Sequence, residues 1–194
     1  MRIFIAVEIP QDVCLRVEAI TSFFKTKTSP TDIKWVNSEH LHLTIKFIGD
    51  MPEGRIKNIE TIMAQSLAGQ APFNLGVGSM GMFPNQNNPR VIWLGITGGE
   101  PLVEMHKSLD QNLSGLGIPR EGRTFSPHLT IGRVRRNVDS SAVKAIGQTL
   151  SQFKVDSLGL IQVDRVHLFQ SVLMPTGPIY TNLFSVLLNP SIIY

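Results

Sequence analysis

The sequence holds one cysteine, no long apolar run, no lengthy block of basic residues and no extended Pro/Gly/Ser tract. Each absence excludes something. Cys14 alone cannot close an internal disulfide, and so low a cysteine count suits a reducing compartment, which makes the cytoplasm the expected location. No stretch approaches the ~18 consecutive apolar residues of a membrane span, and Glu8 and Pro10 interrupt the apolar opening before it can form a signal-peptide core. No membrane association is expected. The net charge of +3 leans toward polyanionic partners, but no basic cluster exceeds Arg133–Arg136. Without a long flexible tract, the 194 residues read as one body rather than two tethered domains.

With 42% apolar and 17% charged residues, the chain can bury a substantial core. Its pattern is written twice. Strand-like runs open at Arg2–Val7 and Arg90–Ile96, and each precedes an amphipathic helix: Val13, Val17, Ile20 and Phe24 after the first, Leu102, Met105 or His106, Leu109, Leu113 and Leu116 after the second. Polar, proline-bearing loops then lead to His42-Leu43-Thr44-Ile45 and to His128-Leu129-Thr130-Ile131. Second helices follow, one with Ile56, Ile59, Met63 and Leu67, the other with Val143, Ile146 and Leu150, and then strands at Phe73–Leu75 and Phe153–Val155. A last strand runs from Ile179 to Leu188. About four helices and eight strands are predicted, an α+β fold of two pseudo-twofold-related lobes. Antiparallel-rich sheets would face a central cleft, with helices outside. The domain assignment is a single bilobal unit over 1–194, formed by internal duplication with one His-x-Thr motif per half.

On an ideal strand, alternation puts His42, Thr44 and Lys46 on one side and Leu41, Leu43, Ile45 and Phe47 on the buried side. The same rule pairs His128 with Thr130. Two imidazoles and two hydroxyls converging on one point would suit a phosphodiester. Hydroxyls donate to the non-bridging oxygens, a neutral His takes a proton from water, and a protonated His gives one to the leaving oxygen. The motif symmetry leaves open which histidine does which. One His-x-Thr on a strand is more often structural; two copies in matched contexts favour catalysis.

Other signals carry less. His40-x-His42 could be half of a metal site, but no acidic partner stands nearby and no metal is expected. Gly76-Val77-Gly78-Ser79-Met80-Gly81 fits a dinucleotide fingerprint, yet a turn-rich loop follows where a helix is required, so a glycine-bearing strand and hairpin is expected. No Walker A sequence occurs, which disfavours an ATP-driven ligase. His106, His167 and the methionines read as structural.

The two tetrapeptides, 86 positions apart, resemble the signature of the 2H phosphoesterase superfamily. So do their surroundings: Arg2–Pro10, Lys34-Trp35-Val36, His40–Gly49, Pro89–Gly95, Phe125–Arg133 and Gly177-Pro178-Ile179-Tyr180. Over nearly the whole chain these segments are similar to the bacterial and archaeal RNA 2',3'-cyclic phosphodiesterases, historically called 2'-5' RNA ligases. The resemblance implies hydrolysis of a terminal RNA 2',3'-cyclic phosphate to a 2'-phosphomonoester without metal or nucleotide cofactor. It also implies 2'-5' ligation in some members, with RNA ends, including tRNA fragments, as partners; a monomer is expected. It implies His42 as proton donor, His128 as proton acceptor, Thr44 and Thr130 as phosphate-oxygen ligands, and Arg133 against the nucleotide. Strict alternation turns Arg133 away from His128, so that assignment needs a bulge or the strand's end. Lys46 would join the grip on phosphate. Phe4 could stack on a base or simply pack in the core. His40 stands where the family usually carries an amide or similar residue. The rival readings are a non-catalytic RNA-end binding module and a phosphodiesterase for a small cyclic nucleotide.

Overall fold

The computed structural model describes residues 1–175 and 177–189. Its elements run β1 (Arg2–Glu8), α1 (Gln11–Lys25), β2 (Ile33–Trp35), β3 (His42–Asp50), α2 (Ile56–Ser66), β4 (Phe73–Phe83), β5 (Val91–Thr97), α3 (Glu100–Leu113), β6 (His128–Val134), α4 (Ser140–Ser151), β7 (Gly159–Val163), β8 (Arg165–Met174) and β9 (Gly177–Leu187). The helices form where apolar residues recur at helical spacing. Val13, Val17 and Phe24 are the buried face of α1, and Leu102, Met105, Leu109 and Leu113 that of α3. α4 begins at Asp139, whose carboxylate accepts the Ser141 and Ala142 amides, each at 2.9 Å.

Two antiparallel sheets make up the rest. One has strand order β3-β1-β8-β9 and the other β2-β6-β5-β4-β7. The sheets exchange strands between the sequence halves. β4 follows α2 but joins β5 and β7, whereas β8 follows α4 but joins β1 and β9. Aside from the extra β2, the order β3-β1-β8-β9 therefore matches β6-β5-β4-β7. α3 lies on β3 and packs against α2, and α1 lies against β7. One continuous apolar core links helices and sheets, with Ile3, Ile5 and Val7 pointing into it from β1. The other face of β1 contributes to a separate cluster of Phe4, Ala6 and Phe169, closed by Tyr180.

Three local expectations change. There are nine strands rather than eight among the described residues. Phe153–Val155 is not a strand; the chain enters the sheet only at Gly159. The last strand spans Gly177–Leu187. The glycine-rich segment lies within β4, as its context requires, and its glycines make room for cross-strand neighbours: a Cβ at Gly76 would overlap Thr97, and one at Gly81 the Trp93 indole.

Candidate active site

The alternation assumed for both motif strands breaks at the same point of each. In β3, Thr44 pairs with Ala6 and Lys46 with Ile5, leaving Ile45 as an extra residue. In β6, Thr130 pairs with Trp93 and Gly132 with Ile92, leaving Ile131 extra. A bulge of one residue reverses which side later residues face. Lys46 accordingly turns into the core with its side chain 1% exposed, while Phe47 turns out and is 56% exposed. In β6, Gly132 is buried and Arg133 exposed.

This corrects the expectation that Lys46 shares the face of His42 and Thr44. Its Nζ lies 2.6 Å from Asp110 Oδ1 and 3.1 Å from Glu121 Oε1, and donates to the Pro119 carbonyl at 3.3 Å. A buried ammonium with those partners has no donor left for substrate. Burial alone would raise the Asp110 carboxyl. The hydrogen bond from Lys46, the Glu121 amide, the Lys46 charge and Arg120 outweigh it, and the pKa falls below the usual carboxylate value. For Arg133 the same kind of bulge has the opposite consequence, since it supplies the reversal that the assignment beside His128 requires.

The two histidines are held alike. His42 Nδ1 donates to the His40 carbonyl at 2.9 Å, and His128 Nδ1 to the Ser126 carbonyl at 2.7 Å. A carbonyl only accepts, so each Nδ1 carries the hydrogen, and in the neutral ring Nε2 keeps its lone pair. Aromatic rings fix both planes. His42 has Phe4 at 4.7 Å and Tyr180 edge-on at 5.0 Å; His128 has Phe83 edge-on at 5.1 Å and Trp93 at 6.2 Å between centroids. Among the described residues, neither the Thr44 nor the Thr130 hydroxyl hydrogen-bonds to a protein group.

Phe4 does not offer a base an open ring face. It is 3% exposed, enclosed by His42, Phe47, Phe169 and Tyr180, and acts as packing behind the His42 imidazole. Burial is the main influence on His42 and lowers its pKa; the His40 carbonyl opposes this and the His40 imidazole adds to it. Burial raises the Tyr180 phenol, against the pull of the Arg133 and Arg2 charges.

The motif strands meet. β3 and β6 approach within 8 Å between Cα atoms, and Arg133, from the sheet of His128, bears electrostatically on Tyr180, whose ring rests on His42. A recess of about 260 Å³ opens beside His42, lined in part by Phe4, Glu8, His40, Phe169 and Tyr180. No local pattern marks Tyr180 as a site residue, although it lies in a segment, Gly177–Tyr180, that carries the resemblance. Among the described residues no group of three His, Cys, Asp or Glu side chains is arranged to hold a metal. Nor is any helix there long and apolar enough to cross a membrane.

The family model described as the 2'-5' RNA ligase superfamily matches residues 9–167. The chain belongs to that superfamily. It is 35% identical over 185 residues to a protein of Methanothermobacter thermautotrophicus named RNA 2',3'-cyclic phosphodiesterase, covering 94% of this chain and 96% of the relative. A protein of the same name from Methanocaldococcus jannaschii is 37% identical over 180 residues, covering 93% and 96%. Among solved structures, TT0787 of Thermus thermophilus superposes with a TM-score of 0.79 at 26% identity, covering 98% of this chain and all of that one. Escherichia coli LigT complexed with 3'-AMP gives 0.74 at 22% identity, covering 96% and 97%, a likeness of fold. Fold and superfamily thus agree with the resemblance read from the tetrapeptides.

Proposed function

We propose that this superfamily member is an RNA 2',3'-cyclic phosphodiesterase that opens the terminal cyclic phosphate by acid–base catalysis between His42 and His128. The carrying observation is the matched tethering of the two imidazoles on strands of different sheets that approach within 8 Å between Cα atoms: each Nδ1–H is held by the carbonyl two residues earlier, and each Nε2 is left for chemistry. The unpartnered Thr44 and Thr130 hydroxyls suit donation to the two non-bridging oxygens. The names of the archaeal relatives point to the same reaction.

In this reading His128 Nε2 takes a proton from water as the water oxygen bonds to phosphorus. The bond from phosphorus to O3' breaks, and His42 protonates O3'. The products are a 2'-phosphomonoester and a free 3'-hydroxyl. No metal or nucleotide enters. Because burial holds His42 toward its neutral form in the free protein, the donor role requires the bound phosphate to raise its pKa, as an anion close to an imidazole does. Arg133 supplies a fixed positive charge on the same side. The substrates are RNA ends bearing the cyclic phosphate, tRNA fragments among them, and 2'-5' ligation would use the same groups with a 5'-hydroxyl in place of water, its oxygen bonding to phosphorus as the bond to O3' breaks.

Phosphorus NMR of products from a cyclic-ended oligonucleotide tests this. A 2'-phosphomonoester formed in the presence of EDTA is the expected result. A 3'-phosphate overturns the donor assignment. Recovery of the cyclic ester unchanged would make the chain a binding module. Preference for a cyclic mononucleotide over the oligonucleotide would make it a small-nucleotide phosphodiesterase.

A further inference from the structure

One turn of α3 touches the scaffolding of both histidines. His106 Nδ1 donates to the carbonyl of Ile45, the bulged residue of β3, at 2.8 Å. The His106 ring also stacks on Phe125, centroids 4.4 Å apart and planes 10° from parallel. Phe125 immediately precedes Ser126, whose carbonyl orients His128. Four residues further along α3, Asp110 does the same by charge. Its Oδ1 accepts from Lys46 Nζ at 2.6 Å and from the Glu121 amide at 2.9 Å, and its Oδ2 from Arg120 Nε at 3.3 Å. Lys46, next to the bulge, reaches back to the Pro119 carbonyl and the Glu121 carboxylate.

Packing alone does not call for this arrangement. A buried ion pair replaced by apolar residues of similar volume often leaves stability unchanged or improved, so its contribution here is directional. The apolar substitute would fill the space but would not fix residues 119–121 relative to the bulge. Those residues begin the segment that ends at Ser126. Separation of the two imidazoles is the quantity a two-histidine reaction is most sensitive to, since a shift of about 1 Å in a catalytic group can cost roughly 100-fold in rate.

We propose that His106 and the Lys46–Asp110 pair are positioning residues that set the spacing between the His42 and His128 imidazoles by bracing the β3 bulge against the segment leading into His128. The proposal rests on the two-histidine reading above. Neither side of the brace touches substrate: Lys46, His106 and Asp110 are all buried.

The test uses the double variant Lys46→Met/Asp110→Leu and the pair His106→Phe and His106→Asn, since an asparagine amide can still donate to the Ile45 carbonyl. Expected are cooperative unfolding near the wild-type temperature and a KM for a 2',3'-cyclic nucleotide within about twofold of wild type. Expected too is a fall in kcat of at least about tenfold in the double variant and in His106→Phe, with most of it recovered in His106→Asn. Amide hydrogen exchange over residues 119–126 should quicken in the double variant, and the His42 and His128 imidazole resonances should shift. Wild-type kcat in the folded double variant, or equal loss in His106→Asn and His106→Phe, overturns the proposal. If the double variant does not fold, the His106 pair decides. Should the wild-type protein hydrolyse no cyclic phosphate, the functional reading fails, while exchange and imidazole resonances still decide whether the brace holds the two histidines.

Discussion

Ile45 and Ile131 occupy the same place in two different sheets: each is the extra residue of a bulge, one position after the motif threonine. Their carbonyls are also satisfied alike, from outside their own strand. His106 donates to Ile45, and the Val36 amide donates to the Ile131 carbonyl at 2.9 Å. The bulges decide what stands five residues after each histidine: Phe47 in one sheet and Arg133 in the other, both turned outward. The two motif strands are therefore alike in their imidazoles and hydroxyls and differ in the outward residue that follows, aromatic in one and cationic in the other.

Replacing either histidine should abolish most turnover without unfolding the protein. General acid or base catalysis supplies roughly 100- to 10,000-fold per group, so His42→Ala and His128→Ala should each lower kcat by at least two decades, with about the same loss in the double variant. The check is turnover of a 2',3'-cyclic nucleotide beside a circular-dichroism melt. Activity near wild type in either variant defeats the acid–base assignment.

How much of this was legible beforehand follows from the period of the signal. The tetrapeptides and four helices stand out because they repeat over short windows. The chemistry assigned to His42, Thr44, His128 and Thr130 needed only strand alternation over three residues. Alternation carried one step further fails at Ile45, which is why the sequence pattern alone turns Lys46 toward substrate. The partners that bury it, Asp110 and Glu121, lie more than sixty positions away and follow no local pattern. Strand exchange between the sheets is equally invisible, since hydrophobic pattern marks where a strand is and not which sheet it joins. Tyr180 had a signal in Gly177–Tyr180, but nothing local says that its ring comes to rest on His42.

Removing the charge of Arg133 should weaken binding more than chemistry. A hydrogen bond to a charged group contributes about 1.5–3 kcal/mol, so Arg133→Ala should raise KM for a cyclic-ended substrate by roughly ten- to a hundredfold. Arg133→Lys should recover part of this. The effect should shrink as salt rises, because the guanidinium is exposed and screened. A KM that does not change with Arg133→Ala removes it from the substrate.

Single substitution of Lys46 should behave in the opposite way. Lys46→Met leaves the buried Asp110 carboxylate without its shortest partner, and breaking such a pair costs about 3–5 kcal/mol. Denaturant melts should show the loss at neutral pH. The folded Asp110 pKa is depressed, so its contribution is present above the unfolded value of about 3.8 and fades as pH falls through the folded value. The gap between wild type and Lys46→Met should therefore narrow in acid. A variant as stable as wild type at pH 7 would mean that the ion pair contributes nothing to the fold.

Gly81→Ala should damage the site from beneath. A methyl there overlaps the Trp93 indole, which neighbours the His128 ring, and β4 and β5 are too firmly paired to separate. Overpacking of this kind costs about 1–3 kcal/mol, and the strain would be relieved by tilting the indole toward His128. Loss of stability together with lower kcat is expected, with tryptophan fluorescence reporting the displacement. Gly54→Ala is the control, since nothing lies within 4 Å of a Cβ at that position.

The pH profile should separate the free protein from its complex. Burial lowers the His42 pKa below its ordinary value of about 6.5, so a donor role makes kcat/KM, which reports the free enzyme, fall as pH rises through that lowered value. In the complex the phosphate charge favours the imidazolium, and the alkaline limb of kcat should lie at higher pH. His40→Ala removes the neighbouring imidazole that also depresses His42, while the backbone carbonyl that accepts its Nδ1–H remains, so the kcat/KM limb should move upward. The same shift acts on stability. A histidine whose folded pKa is lowered contributes fully above the unfolded value, and that contribution is lost as pH drops below about 6.5 toward the folded one. His42→Phe should accordingly be less sensitive to acid over that window in thermal melts. An alkaline limb of kcat/KM that stays in place in His40→Ala would assign it to another group and leave His42 without its donor role.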